Sequence, residues 1–201
     1  MLLSIDTSGD YVSVALFDQA KCIAYEHSVM SYGQGEALIP CIQSILKKKN
    51  KQPKDITKIA VAVGPGSFTG VRIGLAVARA FSLALGIPVV VVNNFIAEAV
   101  GVPEKVKVVL DTKRGDFFVQ DFDDSKVALD NPCVKTAESL KKEMPFIAVG
   151  SGAKNLSEQI GCDLIMKKLT PAQAIGTVVY TYPEAVCGAV PLYLRNADVT
   201  I

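Results

Sequence analysis

A pattern that occurs twice constrains the fold of this chain more than any other feature. Residues 1–20, MLLSIDTSGDYVSVALFDQA, resemble residues 105–124, KVKVVLDTKRGDFFVQDFDD. Each copy runs from an apolar strand through Asp-Thr and a tight turn ending in Gly-Asp. An aromatic residue and a second apolar strand, closed by Phe-Asp, complete it. Asp6-Thr7 answers to Asp111-Thr112, Gly9-Asp10 to Gly115-Asp116 and Phe17-Asp18 to Phe122-Asp123. The second turn is one residue longer. A repeat offset by about half of the 201 residues predicts two similar domains. Their boundary is expected at Pro103, giving a domain over 1–103 and a smaller one over 104–201.

Period and turn chemistry fill in the first domain. Residues 2–5 read as a strand, and in 11–17 Val12, Val14 and Leu16 alternate with Tyr11, Ser13, Ala15 and Phe17. A third strand follows over 22–26. Leu38, Ile42, Ile45 and Leu46 share one face of a helix expected over 36–49, whose lysines 47–49 suit its C-terminal end. Pro40 belongs near its first turn or kinks it. Strands at 59–63 and 89–92 flank another helix, and Asn93 or Asn94 caps a short one running to Val100. In the second domain the pattern predicts a strand near Val127, a helix over 136–143, a strand over 146–149 and a glycine turn over 150–152. Thr170-Pro171-Ala172-Gln173 is a capping box that opens a helix to about Tyr180. Strands in threes followed by helix–strand alternation predict α/β domains, each with a mixed sheet.

The most unusual stretch is 59–85, IAVAVGPGSFTGVRIGLAVARAFSLAL. A buried strand leads through Gly64, Pro65, Gly66 and Gly70 into a helix capped by Ser67 or Thr69. Apolar residues occupy nearly every side of that helix, so it must be covered by its own domain or by a partner. Gly70, Gly74, Ala78 and Ser82 recur at i, i+4 and leave one face almost bare, with Arg72 and Arg79 flanking it. Close packing on the chain's own sheet and a partner surface both fit such a face. On the partner reading, Gly74→Leu is expected to fold but fail to pair.

Several functions are excluded by what the motifs lack. GPGSFTG has no Walker lysine, its glycines miss the dinucleotide spacing, and Ser67 sits in no G-x-S-x-G elbow. A net charge of +1 gives no pull toward nucleic acid or anionic lipid, and the lysine clusters lack aromatic platforms. The longest apolar stretch carries two arginines, and the start has no leader pattern, so no membrane is expected. Five scattered cysteines, none in a Cys-x-x-Cys pair, predict reduced thiols and a cytoplasmic protein. His27 reads as a strand-end residue. Nucleotide chemistry has one candidate site: Asp6, Thr7 and Ser8 in one turn, facing Asp111 and Thr112 in the other. Their amides and hydroxyls suit phosphate, and their carboxylates suit Mg²⁺ through water. The same residues equally serve as Asx-type turn stabilisers.

Asp6-Thr7-Ser8, GPGSFTGVRIG at 64–74, DTKRGDFF at 111–118 and PLYLR at 191–195 together resemble the bacterial TsaB family, also called YeaZ. The resemblance covers almost the whole chain, and GPGSFTGVRIG is its most specific part. It implies the two-domain actin, Hsp70 and sugar-kinase (ASKHA) fold and a role in making N6-threonylcarbamoyladenosine beside the tRNA anticodon. It further implies a non-catalytic subunit that pairs with the catalytic paralogue TsaD, alongside the ATPase TsaE and with tRNA reached through the complex. An isolated homodimer through the same face is expected too. The implied interface takes Leu38, Ile42 and Ile45 from one helix, and Gly70, Arg72, Gly74, Ala78, Arg79 and Ser82 from the other. In TsaD a metal-binding H-x-x-x-H motif lies where this chain has Asn94 and Glu98, so no metal and no resident cofactor are expected. Two rivals remain: a small actin-fold ATPase or kinase using Asp6 and Asp111 around Mg-ATP, and a glycoprotease-type (M22) metallopeptidase, which the missing ligands disfavour. DTKRG departs from the Ala-Arg pair that relatives carry after this Asp.

Overall fold

The computed structural model describes residues 1–187, so the PLYLR motif lies outside the described residues. The chain divides into two compact units, one of Met1–Ala97 joined by a segment that returns at Leu169, the other of Glu98–Lys168.

The first unit opens with β1 (Leu2–Asp6), β2 (Tyr11–Asp18) and β3 (Lys21–Val29), followed by α1 (Gln34–Lys48), β4 (Lys58–Ala62), α2 (Phe68–Leu85), β5 (Val89–Val92) and α3 (Asn94–Ala99). The second repeats that order with β6 (Val106–Asp111), β7 (Asp116–Phe122), β8 (Cys133–Thr136), α4 (Ala137–Lys141), β9 (Ile147–Val149), α5 (Ala153–Ile160) and β10 (Asp163–Ile165). Helix α6 (Pro171–Thr181) and a two-residue strand β11 (Val186–Cys187) close the described chain. The sheet orders are β11-β5-β4-β1-β2-β3 and β10-β9-β6-β7-β8. In both, the first three strands pair antiparallel and the next two (β4 and β5, β9 and β10) join in parallel through helical crossovers, with β11 added antiparallel to β5. The repeat seen in twenty residues of sequence therefore extends through both sheets.

The alternation in β2 sorts its residues onto two faces, and both are buried. Leu3, Ile5, Val12, Val14 and Leu16 join Leu38, Ile42 and Ile45 of α1 and Val71, Leu75 and Ala78 of α2 in the main core. Full burial of each large aliphatic side chain is worth about 1.5–3 kcal/mol. Ser4, Ser13 and Ala15 lie on the other face, also fully buried, and there α6 docks. Ser4 Oγ donates to the carbonyl of Ala172 at 2.7 Å, and Ala172 N donates to Ser13 Oγ at 3.1 Å. Two buried hydroxyls thus satisfy and fix the first turn of the helix. The capping box at Thr170 and Gln173 forms as expected.

This docking changes the domain assignment. A split at 103/104 gives 170–180 to the second domain, whereas that helix packs on β1 and β2 of the first unit. Sequence order misleads here because the small residues that receive the helix lie some 160 positions upstream (|i−j| = 159 and 168). Other differences are local. The third strand of the second sheet is Cys133–Thr136 rather than a strand near Val127, where Ala128 forms only an isolated bridge to Phe122. The following helix is a short Ala137–Lys141, capped by Thr136 Oγ1. Pro40 lies inside α1, and Gly33, in the left-handed conformation, precedes it.

The second unit holds a buried cation. Lys107 Nζ is 2.8 Å from Asp121 Oδ2 and 3.2 Å from Glu143 Oε2, and Lys135 Nζ reaches Glu143 Oε1 at 2.6 Å. Burial pushes the Glu143 carboxyl up, but the hydrogen bonds from Lys135 and Lys107 outweigh it and leave it below its ordinary 4.5. A depressed carboxyl contributes stability above its unfolded-state value and loses it as pH falls through the folded value. Urea titrations of the second unit's unfolding should therefore show stability declining as pH drops below 4.5, with a flatter acid limb in Glu143→Gln. For the first unit, a Cβ at Gly176 would lie 2.1 Å from Phe17 Cε2. Gly176→Ala is expected to cost about 2 kcal/mol by overpacking, read as a lower Tm.

Candidate functional site

The turn after β1 is built into the start of α2. Ser67 N donates to the Ser8 carbonyl at 2.7 Å, and Thr7 Oγ1 donates to the Gly70 carbonyl at 2.6 Å. A Cβ on Gly70 would lie 2.0 Å from the Thr7 carbonyl oxygen, and one on Gly74 would lie 2.9 Å from Thr7 Oγ1 and 3.3 Å from Val61 Cγ2. Gly66 meets the Ser8 carbonyl in the same way. The glycines are there so that the helix backbone can touch the turn backbone. Ser67 caps the helix, its hydroxyl accepting from Gly70 N. Asn93 Oδ1 accepts from Phe95 N, and Asn94 Nδ2 donates to Ser8 Oγ at 2.6 Å and to the Pro65 carbonyl at 3.1 Å.

The bare stripe therefore faces inward. Gly70, Gly74 and Ala78 are buried against β1 and β4, and Leu38, Ile42 and Ile45 are fully buried in the same core. These six expected interface residues are corrected to core residues: the close approach that the small side chains permit is used by the chain's own sheet. Ser82 is half-buried and donates to the Ile87 carbonyl at 2.6 Å, closing the C-terminal turn of α2. Arg72 and Arg79 alone of that set are exposed, Arg72 stacking its guanidinium 3.6 Å over the Phe68 ring.

A second stripe lies on the opposite side. Two residues along a helix turn it through about 200°, so Ala76, Ala80 and Ala84 point away from Gly74 and Ala78. All three alanines are exposed, Leu83 is 86% exposed, and Ile73, Val77 and Phe81 are half-buried beside them. Ile39 and Pro40 of α1 are exposed, and a Cβ on Gly35 would lie 4.0 Å from Ile73 Cδ1. Among the described residues α2 is the one helix that is long and apolar enough to cross a bilayer by length and composition, with mean hydropathy 1.4. Its glycine stripe is instead seated on the sheet, and its outer side forms an apolar strip with an arginine at two points. The sequence contained both stripes; nothing in it told which one turned inward.

The candidate nucleotide residues are occupied by their own turns. Asp6 is buried, with Oδ1 accepting from Ser8 N at 2.7 Å and Oδ2 from Tyr11 Oη at 3.1 Å. Thr7 and Ser8 are engaged with Gly70 and Asn94. In the second unit Asp111 Oδ1 accepts from Lys113 N at 2.7 Å, and Thr112 Oγ1 donates to Asp116. Each group is engaged in the hydrogen bonds of a clasped turn. Asn94 leaves one buried carboxamide oxygen without a hydrogen-bond partner, and Glu98 lies 3.6 Å from Lys167 Nζ. No cluster of three His, Cys, Asp or Glu side chains occurs among the described residues. His27 stacks on Tyr11 with centroids 5.2 Å apart, and burial holds its pKa down. Burial pushes the Cys41 thiol up to about 11, far from a reactive thiolate.

Residues 30–190 match the model of the family described as TsaD, tRNA N6-adenosine threonylcarbamoyltransferase. A Bacillus subtilis protein named tRNA threonylcarbamoyladenosine biosynthesis protein TsaB is 36% identical over 93 residues, 46% of this chain and 41% of that one. An Escherichia coli protein of the same name is 30% identical over 122 residues, 58% of this chain and 52% of that one. The matches thus span about half the length of these curated relatives. Among solved structures, YeaZ from Pseudomonas aeruginosa superposes with TM-score 0.79 at 21% identity, covering 96% of this chain and 99% of that one. The fold is the actin-like ATPase fold, two α/β units each with a mixed sheet, the second smaller.

The correction to Gly74 reverses the expected phenotype. Gly74→Leu should fail to fold, and Gly70→Ala should lose at least about 2 kcal/mol because the obstructing atom is backbone. Ala80→Leu on the outer stripe should stay within about 0.5 kcal/mol of wild type in the same thermal melts.

Proposed function

Since the chain belongs to the TsaB (YeaZ) family, we propose that it is a non-catalytic scaffold subunit in the formation of N6-threonylcarbamoyladenosine in tRNA. It pairs with a TsaD-type catalytic paralogue through the outer side of α2 and the exposed end of α1, and works with a TsaE-type ATPase. The observation that carries this reading is Leu83, 86% exposed at the head of a row of solvent-facing alanines. An apolar strip of this kind on a folded unit marks an interaction surface. Alanines let a second helix approach closely, the half-buried Ile73, Val77 and Phe81 supply apolar contact, and Arg72 and Arg79 sit where a rim can use charge. Without the paralogue, two copies close the same strip about a two-fold axis. The engaged side chains of both Asp-Thr turns favour this reading over a Mg-ATP enzyme built on Asp6 and Asp111.

The direct test is tRNA modification in vitro with this protein left out and then restored: product should depend on its presence. Ala80→Glu with Leu83→Glu should retain the wild-type Tm, because neither side chain is in the core. The same variant should lose pairing with the TsaD-type subunit by at least about tenfold, since it puts charge into a desolvated helix contact. Wild-type pairing by this variant in calorimetry removes α2 from the interface.

A further inference from the structure

The sheet of the first unit ends in β3, and among the described residues no strand continues the ladder beyond it. Such an edge is long, nine residues, and Tyr25 and Val29 stand 53% and 81% exposed on it. An open edge offers backbone donors and acceptors to any extended chain that can reach them. The ladder with β2 is regular from Tyr11↔Val29 to Leu16↔Ala24 and then shifts to Phe17↔Cys22, so Ile23 is an extra, bulged residue. The bulge interrupts the ladder at Ile23, beyond which pairing resumes to Asp18↔Lys21, and leaves Ala24–Val29 as the regular stretch of the edge.

At the bulge the edge opens into a cavity of about 340 Å³. Its walls are β3 from Cys22 to Tyr25, Lys48 and Lys49 at the end of α1, and Gln173 in the first turn of α6. Charge at this end is mostly basic: Lys21, Lys47, Lys49 and Lys51 are exposed around it. Two carboxylates lie at this end: exposed Asp18 is opposite Lys21 in the hairpin, and Glu26 is already held by Ser44 Oγ at 2.8 Å and Lys48 Nζ at 3.0 Å.

The geometry points to strand addition at this edge by an extended acidic segment of a partner protein. The segment pairs with Ala24–Val29 and places a carboxylate in the cavity against Lys48 and Lys49. Charge complementarity selects this occupant. A second copy pairing β3 antiparallel on β3 sets Lys21 against Val29 and brings from that strand only Glu26, a carboxylate already held by Ser44 and Lys48, while this chain's own residues 188–201 carry one Arg and one Asp. The edge uses residues separate from the outer strip of α2, so the two surfaces can be occupied together and tested apart.

The test uses the full chain and a short synthetic peptide of alternating valine and glutamate, with the valine–lysine counterpart as control. The acidic peptide should bind in fluorescence anisotropy, weaken with added salt, and slow hydrogen exchange at the amides of Ala24–Val29. Lys48→Glu with Lys49→Glu, both exposed and so compatible with folding, should weaken it about tenfold. Ala80→Glu with Leu83→Glu should leave it unchanged, which separates this proposal from the subunit contact. Equal binding of the lysine peptide, or protection away from β3, overturns the assignment. Concentration-dependent self-association lost in Tyr25→Pro overturns it too, in favour of a second copy on this edge.

Discussion

The backbone contact between the turn after β1 and the first turns of α2 determines much else in the first unit. The helix can sit there only because Gly66, Gly70 and Gly74 carry no Cβ where the carbonyls of Thr7 and Ser8 and the Thr7 hydroxyl come closest. That contact sets which side of α2 is core and therefore which side is left for something else. It also engages Thr7 and Ser8 as structural groups, with Asp6 holding the turn from within. A Gly in mid-helix costs about 1 kcal/mol relative to Ala, and here the close approach offsets it.

The same logic recurs at lower intensity in the second unit. Gly152 is the counterpart of the α2 glycines: a Cβ there would meet Phe117 Cδ1 at 2.8 Å and the Asp111 amide at 3.0 Å. The Asp-Thr turn of β6 and β7 is thus fitted to the start of α5 as that of β1 and β2 is fitted to α2. The second copy differs in its helices, which are short, and in relying on a Lys107–Asp121–Glu143–Lys135 network beside a smaller apolar cluster. Removing one partner from a buried pair is costlier than never having had the pair, so loss of the Glu143 charge in acid weakens the smaller unit.

On the proposed reading, function in this architecture follows from surface left uncovered. The outer side of α2 and the edge of β3 are both unfinished elements, a helix with apolar residues facing solvent and a sheet with an unpaired rim. The helix side suits a stable subunit contact because it is apolar and smooth. The sheet edge suits a charged, extended visitor because backbone pairing supplies affinity without a large apolar area.

Sequence alone determined the strand–turn–strand repeat, the capping residue Thr170, the existence of one apolar face on α1 and the presence of a helix with too few large side chains, because each of these is written in local period and turn chemistry. It left open which stripe of α2 faces inward, since Gly70-Gly74-Ala78 and Ala76-Ala80-Ala84 lie on opposite sides and both are small. It also gave α6 to the wrong domain. Only the tertiary structure decided these points, for a physical reason: a helix is oriented and assigned by what it packs against, and the atoms that fixed these two, the Thr7 carbonyl and the Ser4 and Ser13 hydroxyls, belong to strands and turns remote in the chain.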